Sequence, residues 1–243
     1  MTQLLLDLQP AQPPTLDNFI VGTNQEVLAR LRALAQPGCF DALYLWGTAG
    51  SGKSHLLAAT AALAMRKRPA LLLDHRPQVE GETGLRRLAG ADFFVPPGGL
   101  LIVDDVDALD EAAQIALFRI FNTARLVGLG LLLAGSVPPL QLNLREDLRT
   151  RIGQCLIYEL QPLNDTQKAD ALRRHAIERG MRIDDSLVNY LLIHGRRDLP
   201  SLMAVLDHID RTTLERKRPA TLPLLKEALQ LQLLEDSHAT GTV

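Results

Sequence analysis

The sequence has few cysteines, few aromatic residues and no excess of charge of one sign. Only Cys39 and Cys155 occur in its 243 residues, far apart and outside any CxxC pattern. Neither a disulfide framework nor a cysteine zinc site is therefore indicated, and we expect two buried thiols. The chain has 26 Lys and Arg and 28 Asp and Glu, so its net charge is −2. It therefore lacks the large positive charge that a protein coating DNA needs.

Long hydrophobic runs are also missing. The longest apolar stretch, near residues 126–135, falls short of the roughly 20 residues that a membrane span needs. The N-terminal residues lack the basic region and the small-residue cleavage site of a secretory signal. We therefore expect a soluble, cytoplasmic protein with no membrane partner. Since aromatics are 4% of the chain and hydrophobic residues 47%, its core must be mainly aliphatic.

Hydrophobic periodicity divides the chain into four parts. Residues 1–14 join an apolar hexapeptide to three prolines and predict a flexible tail. In residues 15–161, short aliphatic runs alternate with helical patterns, which predicts an α/β fold whose parallel sheet is covered by helices on both faces. The predicted strands are 42–46, 70–73, 100–103, 129–134 and 155–158. Residues 162–235 show helical patterns alone and predict a small helical lid, followed by a tail at 236–243.

A phosphate-binding loop follows the first predicted strand. Residues 47–54 read GTAGSGKS, which fits G-x-x-x-x-G-K-[ST], and a helical run comes next. The backbone N–H groups of such a loop point at phosphate oxygens, and the next helix adds its positive N-terminal end. Lys53 would reach the β- and γ-phosphates, and Ser54 would place its hydroxyl on Mg²⁺. The nucleotide-binding candidates are Gly47, Thr48, Ala49, Gly50, Ser51, Gly52, Lys53 and Ser54. The alternative is a plain glycine-rich turn.

Two carboxylates follow the third predicted strand. Asp104 and Asp105 stand at its carboxyl end, where α/β sheets bind ligands. Asp104 is the candidate for the Mg²⁺ shell. Asp105 is the candidate that polarises an attacking water, although many hydrolytic relatives have Glu there. The alternative is that both residues only cap a helix predicted to begin near Asp110.

These motifs resemble the AAA+ ATPases and, within them, the family of the bacterial replication initiator DnaA. Residues 15–24, TLDNFIVGTN, are similar to the family's segment over the adenine base, which implies contacts from Phe19 and Val21. His55 continues the family-like run after the phosphate loop. Residues 133–139 resemble the turn that carries the polar sensor-1 position, here Ser136, where an acidic residue is common. The resemblance implies ADP or ATP with Mg²⁺ as cofactors.

Residues 148–153, LRTRIG, look like the family's arginine-finger box. The resemblance implies that Arg151 points at the nucleotide of a neighbouring subunit and neutralises charge on its γ-phosphoryl group, an effect of roughly 10³–10⁵ in rate. Arg149 is the second candidate, and a plain surface arginine is the alternative. The neighbour is either DnaA or another copy of this chain.

The chain departs from the initiators in two places. They carry a DNA-reading helix-turn-helix domain after the lid, whereas a short tail follows residue 234 here, so we expect no origin binding by that route. Pro200 stands where the family has a sensor-2 arginine. Either Arg196 or Arg197 replaces that arginine, or the lid contacts the phosphates weakly, and we expect a weak or absent intrinsic ATPase. The basic cluster 216–218 is a solvated helix end or a weak DNA contact.

Residues 3–8, QLLLDL, resemble the peptide with which bacterial proteins dock on the DNA polymerase sliding clamp (its beta subunit). Leu4, Leu6 and Leu8 would supply apolar anchors, and the amide of Gln3 would fix the register. Together the resemblances imply a nucleotide-bound regulator of replication initiation that docks on the DNA-loaded clamp and stimulates hydrolysis of DnaA-bound ATP. The alternatives are an autonomous AAA+ ATPase, such as a DnaA-related helicase loader, and an adaptor that binds nucleotide only for folding.

Overall fold

The computed structural model describes residues 13–74, 84–90, 93–195, 198–216 and 225–226. The chain divides into two compact units between Pro162 and Leu163. The first unit is an α/β base, and the described residues of the second unit form helices.

The base alternates strands and helices along the chain. Its strands are β1 (Ala42–Trp46), β2 (Ala70–Leu73), β3 (Leu100–Val103), β4 (Gly130–Gly135) and β5 (Leu156–Glu159). Its helices are α1 (Gln25–Leu34), α2 (Lys53–Ala64), α3 (Gly84–Arg87), α4 (Glu111–Val127) and α5 (Glu146–Ile152). Short 3-10 turns at Val106–Ala108 and Pro139–Gln141 precede α4 and α5. Each strand begins and ends within one residue of its predicted bounds.

The five strands form one parallel sheet in the order β2-β3-β4-β1-β5. Strand β4 lies between β1 and β3, with Gly135 opposite Trp46 and Leu133 opposite Val103. Because all the strands run the same way, the loops that follow β1, β3 and β4 meet at one edge of the sheet. The predicted α/β fold with a parallel sheet is confirmed.

Successive residues of the strands belong alternately to two hydrophobic clusters, one on each face of the sheet. Leu43 and Leu45 pack with residues of α1 and α2, while Tyr44 packs with residues of α4 and α5. The clusters are mainly aliphatic, as the composition predicts. The expected cover on both faces fails at β5, where Leu156 and Ile157 are each 40% exposed, because β5 is an edge strand that pairs with β1 alone.

Arg68 is a buried arginine with 6% exposure, located between α2 and β2. Its guanidinium donates hydrogen bonds to backbone carbonyls at the end of α1, in the segment after α1 and just before β3. The acceptors are the carbonyl oxygens of Leu34, Gln36, Cys39, Gly98 and Gly99. One side chain therefore joins several loops at the amino-terminal edge of the sheet.

Both cysteines are free and half-buried, so the expectation of two buried thiols is met only in part. Desolvation raises the pKa of the Cys155 thiol to about 12. Because the thiolate is the reactive form, Cys155 is a poor nucleophile at neutral pH.

The second unit contains three described helices, α6 (Asp165–Glu178), α7 (Asp185–His194) and α8 (Leu199–Arg216). Asn164 and Gln167 form a capping box that starts α6, as predicted, and Asp184 caps α7. Buried aliphatic residues from the three helices form one cluster. The helical pattern predicted around residues 222–229 lies outside the described residues, apart from 225–226. Among the described residues, no helix is both long and apolar enough to span a bilayer.

Candidate nucleotide-binding site

The phosphate loop connects β1 to α2 at the carboxyl edge of the sheet. Gly50 and Gly52 have φ angles of +77° and +96°, a left-handed conformation that side chains other than glycine rarely adopt. Gly52 is the N-cap residue of α2. The first N–H groups of α2 have no partner within the helix, and together with the helix dipole they favour an anion at this end.

The side chain of Lys53 folds back over the loop. Its Nζ donates hydrogen bonds to the carbonyl oxygens of Gly47 at 2.7 Å and Thr48 at 3.1 Å. These bonds hold the ammonium at the loop. The predicted loop residues and the predicted lysine are thus brought together.

Three features of the loop fit a bound phosphate. Ser51 is buried, and its Oγ is the one buried side-chain polar atom without a hydrogen-bond partner among the described residues. A buried unpaired hydroxyl costs about 1–3 kcal/mol, which a phosphate oxygen would relieve. A Cβ at Gly47 would lie 2.7 Å from the carbonyl oxygen of Leu160, and one at Gly52 would lie 2.6 Å from Cε2 of Phe19. The packing of the protein around the loop therefore leaves no room for a side chain at either position.

The segment before α1 lies against this loop. The rings of Phe19 and His55 have centroids 5.6 Å apart. Nε2 of His55 donates to the carbonyl oxygen of Thr15 at 2.9 Å. Val21 is half-buried against the core. Sequence reasoning missed Asn24, which is 4% exposed and exchanges two side-chain hydrogen bonds with the backbone of Gln161.

Asp104 follows β3 and is 5% exposed. Burial raises the pKa of its carboxyl group, and the charge of Asp105 raises it further, while a hydrogen bond from the Ser54 side chain and the charge of Lys53 lower it. The two residues predicted to hold Mg²⁺, Ser54 and Asp104, are therefore in contact. Among the described residues no group of three or more His, Cys, Asp or Glu could hold a metal. A pair is sufficient for Mg²⁺ at phosphates, where one or two carboxylates, phosphate oxygens and waters complete the shell.

Asp105 has a left-handed backbone. Its φ of +51° is the one positive φ of a non-glycine residue among the described residues, and its N–H donates to Oδ1 of Asp104 at 3.1 Å. Asp110, not Asp104 or Asp105, caps α4, since its Oδ1 accepts from the N–H of Ala113 at 2.8 Å. The capping explanation for the pair thus has no support in the structure, and strained non-glycine residues are concentrated at functional sites.

Ser136 follows β4 and is exposed. Its N–H donates to Oδ2 of Asp107 at 2.7 Å, and the hydroxyl of Tyr44 donates to the carbonyl oxygen of Val137 at 2.7 Å. Sequence reasoning missed both Asp107 and Tyr44. The acidic residue two positions after the Asp104–Asp105 pair was the one available signal.

Arg151 lies exposed on α5. Its Nη2 donates to Oδ1 of Asn122 on α4 at 2.8 Å. The nearby Arg145 is held in ion pairs with Asp147 and Glu111. Helices α4 and α5 border an open groove of about 790 Å³, lined by Phe118, Arg145, Glu146, Asp147, Thr150, Arg151 and Gln154.

Several predicted residues lie outside the described part of the chain. They are the tail residues Gln3, Leu4, Leu6 and Leu8, the lid arginines Arg196 and Arg197, and Lys217 and Arg218 of the basic cluster. Pro200 is the second residue of α8.

Solved structures with the same fold include the replication initiator DnaA and RuvB. Domain III of the replication initiation protein DnaA from Thermotoga maritima matches with a TM-score of 0.71 and 18% identity, over 91% of this chain and 98% of that one. AMPPCP-bound DnaA from Aquifex aeolicus matches with a TM-score of 0.64 and 23% identity, over 87% and 70%. A RuvB variant from Thermotoga maritima matches with a TM-score of 0.68 and 19% identity, over 90% and 72%.

The chain has the AAA+ fold that DnaA domain III and RuvB share. The sequence of the helical unit gives a more specific match than the fold does, because residues 165–229 match the family model of the Hda lid domain. Residues 165–229 are therefore similar to the Hda lid domain, and the predicted resemblance to the DnaA-related AAA+ proteins is confirmed.

Proposed function

We propose that the protein is a nucleotide-bound regulator of DNA replication initiation that resembles Hda, the regulatory inactivator of DnaA. It binds ADP or ATP with Mg²⁺, docks on the DNA-loaded sliding clamp, and stimulates hydrolysis of the ATP held by DnaA. The observation that carries the proposal is the exposed Arg151 on a base whose lid matches the Hda lid domain.

Nucleotide binding is supported by the loop and its surroundings. AMPPCP is bound by the Aquifex aeolicus DnaA that shares this fold. Here the glycine loop, Lys53 and the start of α2 would hold the phosphates, and Phe19 with Val21 and His55 would hold the base. Ser54 and Asp104 would hold Mg²⁺, which supplies positive charge at the phosphate oxygens. Asp105 would orient a water if the bound nucleotide is hydrolysed.

Arg151 is suited to act on a partner's nucleotide. Its guanidinium is exposed at an open groove, and the bond from Nη2 to Asn122 fixes its direction before the partner arrives. A planar, pre-oriented guanidinium loses less side-chain freedom when it binds a phosphoryl group. Arginine fingers contribute roughly 10³–10⁵ in rate, which corresponds to about 4–7 kcal/mol of transition-state stabilisation.

The partners follow from the same resemblance. The hexapeptide with Gln3, Leu4, Leu6 and Leu8 would bind the clamp's apolar cleft as an extended peptide. Docking would bring the protein to DNA-associated DnaA although its own net charge is −2. A self-associated form and a weak DNA contact beside the clamp through residues 216–218 are compatible additions.

The test measures phosphate release from ATP-loaded DnaA in the presence of clamp-loaded DNA. We compare the intact chain with Arg151→Ala, Arg149→Ala and a chain lacking residues 1–9. Arg173→Ala is the matched control, because Arg173 is a partly exposed, ion-paired arginine of the lid. We expect Arg151→Ala and the truncation to abolish stimulation and the control to retain it. Normal stimulation by Arg151→Ala with loss in Arg149→Ala would assign the finger to Arg149, and normal stimulation by both would reject the finger mechanism.

A second candidate function is an autonomous AAA+ ATPase, such as a DnaA-related helicase loader. The contact between Ser54 and Asp104 and the strained Asp105 favour it, because a protein with its own turnover needs the same groups. Rapid ATP hydrolysis by the protein alone, removed by Lys53→Ala, would replace the regulator proposal. We expect slow or undetectable hydrolysis instead.

A further inference from the structure

The turn after β4 lies between the two halves of the candidate nucleotide site. Strand β4 pairs with β1 on one side and with β3 on the other. Strand β1 leads into the phosphate loop, and β3 leads into Asp104 and Asp105. Ser136, the first residue after β4, therefore follows a strand end flanked by phosphate-binding and carboxylate loops.

Side chains from both neighbours hold this turn. From β1, the buried Tyr44 donates its hydroxyl hydrogen to the carbonyl oxygen of Val137 at 2.7 Å. From the loop after β3, Oδ2 of Asp107 accepts the N–H of Ser136 at 2.7 Å. A Cβ added at Gly135 would meet the hydroxyl of Tyr44 and lie 3.1 Å from Oδ2 of Asp107, so the two groups converge on one backbone position.

The bond of Asp107 is not a local cap. An aspartate that caps the start of a helix or turn accepts a hydrogen bond from an N–H group two or three residues further along the chain. Asp110 does so in this protein, with Ala113 as its donor. Asp107 instead reaches a residue 29 positions away. Its carboxylate therefore links the carboxylate loop directly to the Ser136 turn.

We propose that Asp107 is a positioning residue that fixes the Ser136 turn, so that the Ser136 hydroxyl meets the terminal phosphate of a bound nucleoside triphosphate. The inference rests on the proposed nucleotide site. A diphosphate leaves the terminal position empty, and so the Asp107–Ser136 link makes the site discriminate between the two nucleotides. Asp107 acts through Ser136 and touches no nucleotide itself.

The experiment measures affinities for ADP and AMPPCP in the full chain, by competition with a fluorescent ADP analogue. The variants are Asp107→Ala, Asp107→Asn, Ser136→Ala and the double variant Asp107→Ala/Ser136→Ala. Asp110→Ala is the matched control, because it removes a nearby carboxylate that accepts an unrelated N–H. Thermal unfolding of each variant checks folding.

Asp107→Ala should weaken AMPPCP binding about three- to tenfold relative to ADP, the range expected for one lost hydrogen bond. Asp107→Asn should keep the wild-type ratio, because its amide oxygen still accepts the Ser136 N–H. Ser136→Ala should match Asp107→Ala, and the double variant should be no worse than either single variant. Asp110→Ala should leave the ratio unchanged.

Two results would overturn the inference: an unchanged ratio in Asp107→Ala, or an equal loss in Asp107→Ala and Asp107→Asn. Lys53→Ala separates this failure from failure of the nucleotide site. If Lys53→Ala binds both nucleotides as the wild type does, the proposed site itself is wrong, whereas a loss in Lys53→Ala with a constant ratio in Asp107→Ala rejects the role of Asp107 alone.

Discussion

The ring of Phe19 lies so close to Gly52 that a Cβ on the glycine would come within 2.6 Å of Cε2. Phe19 belongs to the segment before α1, and Gly52 is the N-cap of α2 in the phosphate loop. The same segment is held by His55, whose ring contacts Phe19 and the backbone of Thr15. The segment before α1, which would contact the adenine of a nucleotide, and the loop that would contact its phosphates therefore pack against each other.

Gly52→Ala should disrupt this packing. The new Cβ meets Phe19 and also forces alanine into a left-handed conformation, which alone costs roughly 1–2 kcal/mol. We expect at least about a tenfold loss of ADP affinity, since a shift of about 1.4 kcal/mol at the loop is sufficient. Gly38→Ala is the control, because Gly38 has φ +81° and a Cβ added there would have no atom within 4 Å. It should lose comparable stability in urea unfolding and keep ADP affinity; unchanged ADP affinity in Gly52→Ala would contradict the packing argument.

Arg68→Met should destabilise the base by about 3–5 kcal/mol, because it leaves several buried carbonyl oxygens without donors. Arg68→Lys should recover only part of this loss, since a single ammonium cannot reproduce the planar set of guanidinium donors. The measurement is urea unfolding followed by circular dichroism. Arg66→Met, at an exposed position two residues earlier, should stay within about 0.5 kcal/mol of the wild type. A loss under about 1 kcal/mol for Arg68→Met would show that water satisfies those carbonyls.

The strands could be predicted almost to the residue because buried parallel strands are continuous aliphatic runs bounded by turn residues. The order of the strands within the sheet could not be predicted in this way. The first residues of β5 are as apolar as those of the central strands, yet Leu156 and Ile157 are partly exposed, since the order of the strands in the sheet places β5 at an edge. Periodicity reports which elements form, whereas their neighbours depend on contacts between distant residues.

The candidate site shows the same difference between features that local sequence predicts and features that depend on distant residues. The phosphate loop and Asp104 could be predicted because each belongs to a recognisable motif of consecutive residues. Arg68 stands among other basic residues in RKRP, and only the folded loops reveal its carbonyl partners. Asp107 and Ser136 are 29 residues apart, and no local pattern joins them.

Changing Gln3 and Leu4 to Ala should weaken clamp binding, because the variant loses the amide that sets the register and one of three apolar anchors. We expect at least about a tenfold weaker affinity for the purified clamp by surface plasmon resonance, since burying one leucine is worth about 1.5–3 kcal/mol. ADP affinity should not change. Gln9→Ala, just beyond the hexapeptide, is the control and should bind normally. Full clamp affinity in the double variant would reject residues 3–8 as the docking peptide.

Asp104→Asn should separate stability from ligand binding. Burial raises the pKa of Asp104, so the folded state holds a proton more tightly than the unfolded chain, and the carboxylate costs stability once the pH exceeds the ordinary carboxyl range near about 4. Asparagine is neutral and still accepts a hydrogen bond from Ser54. We therefore expect the ligand-free variant to melt at a higher temperature than the wild type at pH 7, with the gain shrinking as the pH falls toward 4.

The same variant should bind nucleotide with Mg²⁺ about ten- to a hundredfold more weakly, the effect of losing one charged contact worth about 1.5–3 kcal/mol. Affinity measured with EDTA is the internal control and should change little, because Asp104 would act through the cation. If Asp104→Asn instead lowered the melting temperature at pH 7 without nucleotide, the carboxylate would be stabilising the fold. The presence of a buried carboxylate at position 104 would then need no explanation through Mg²⁺.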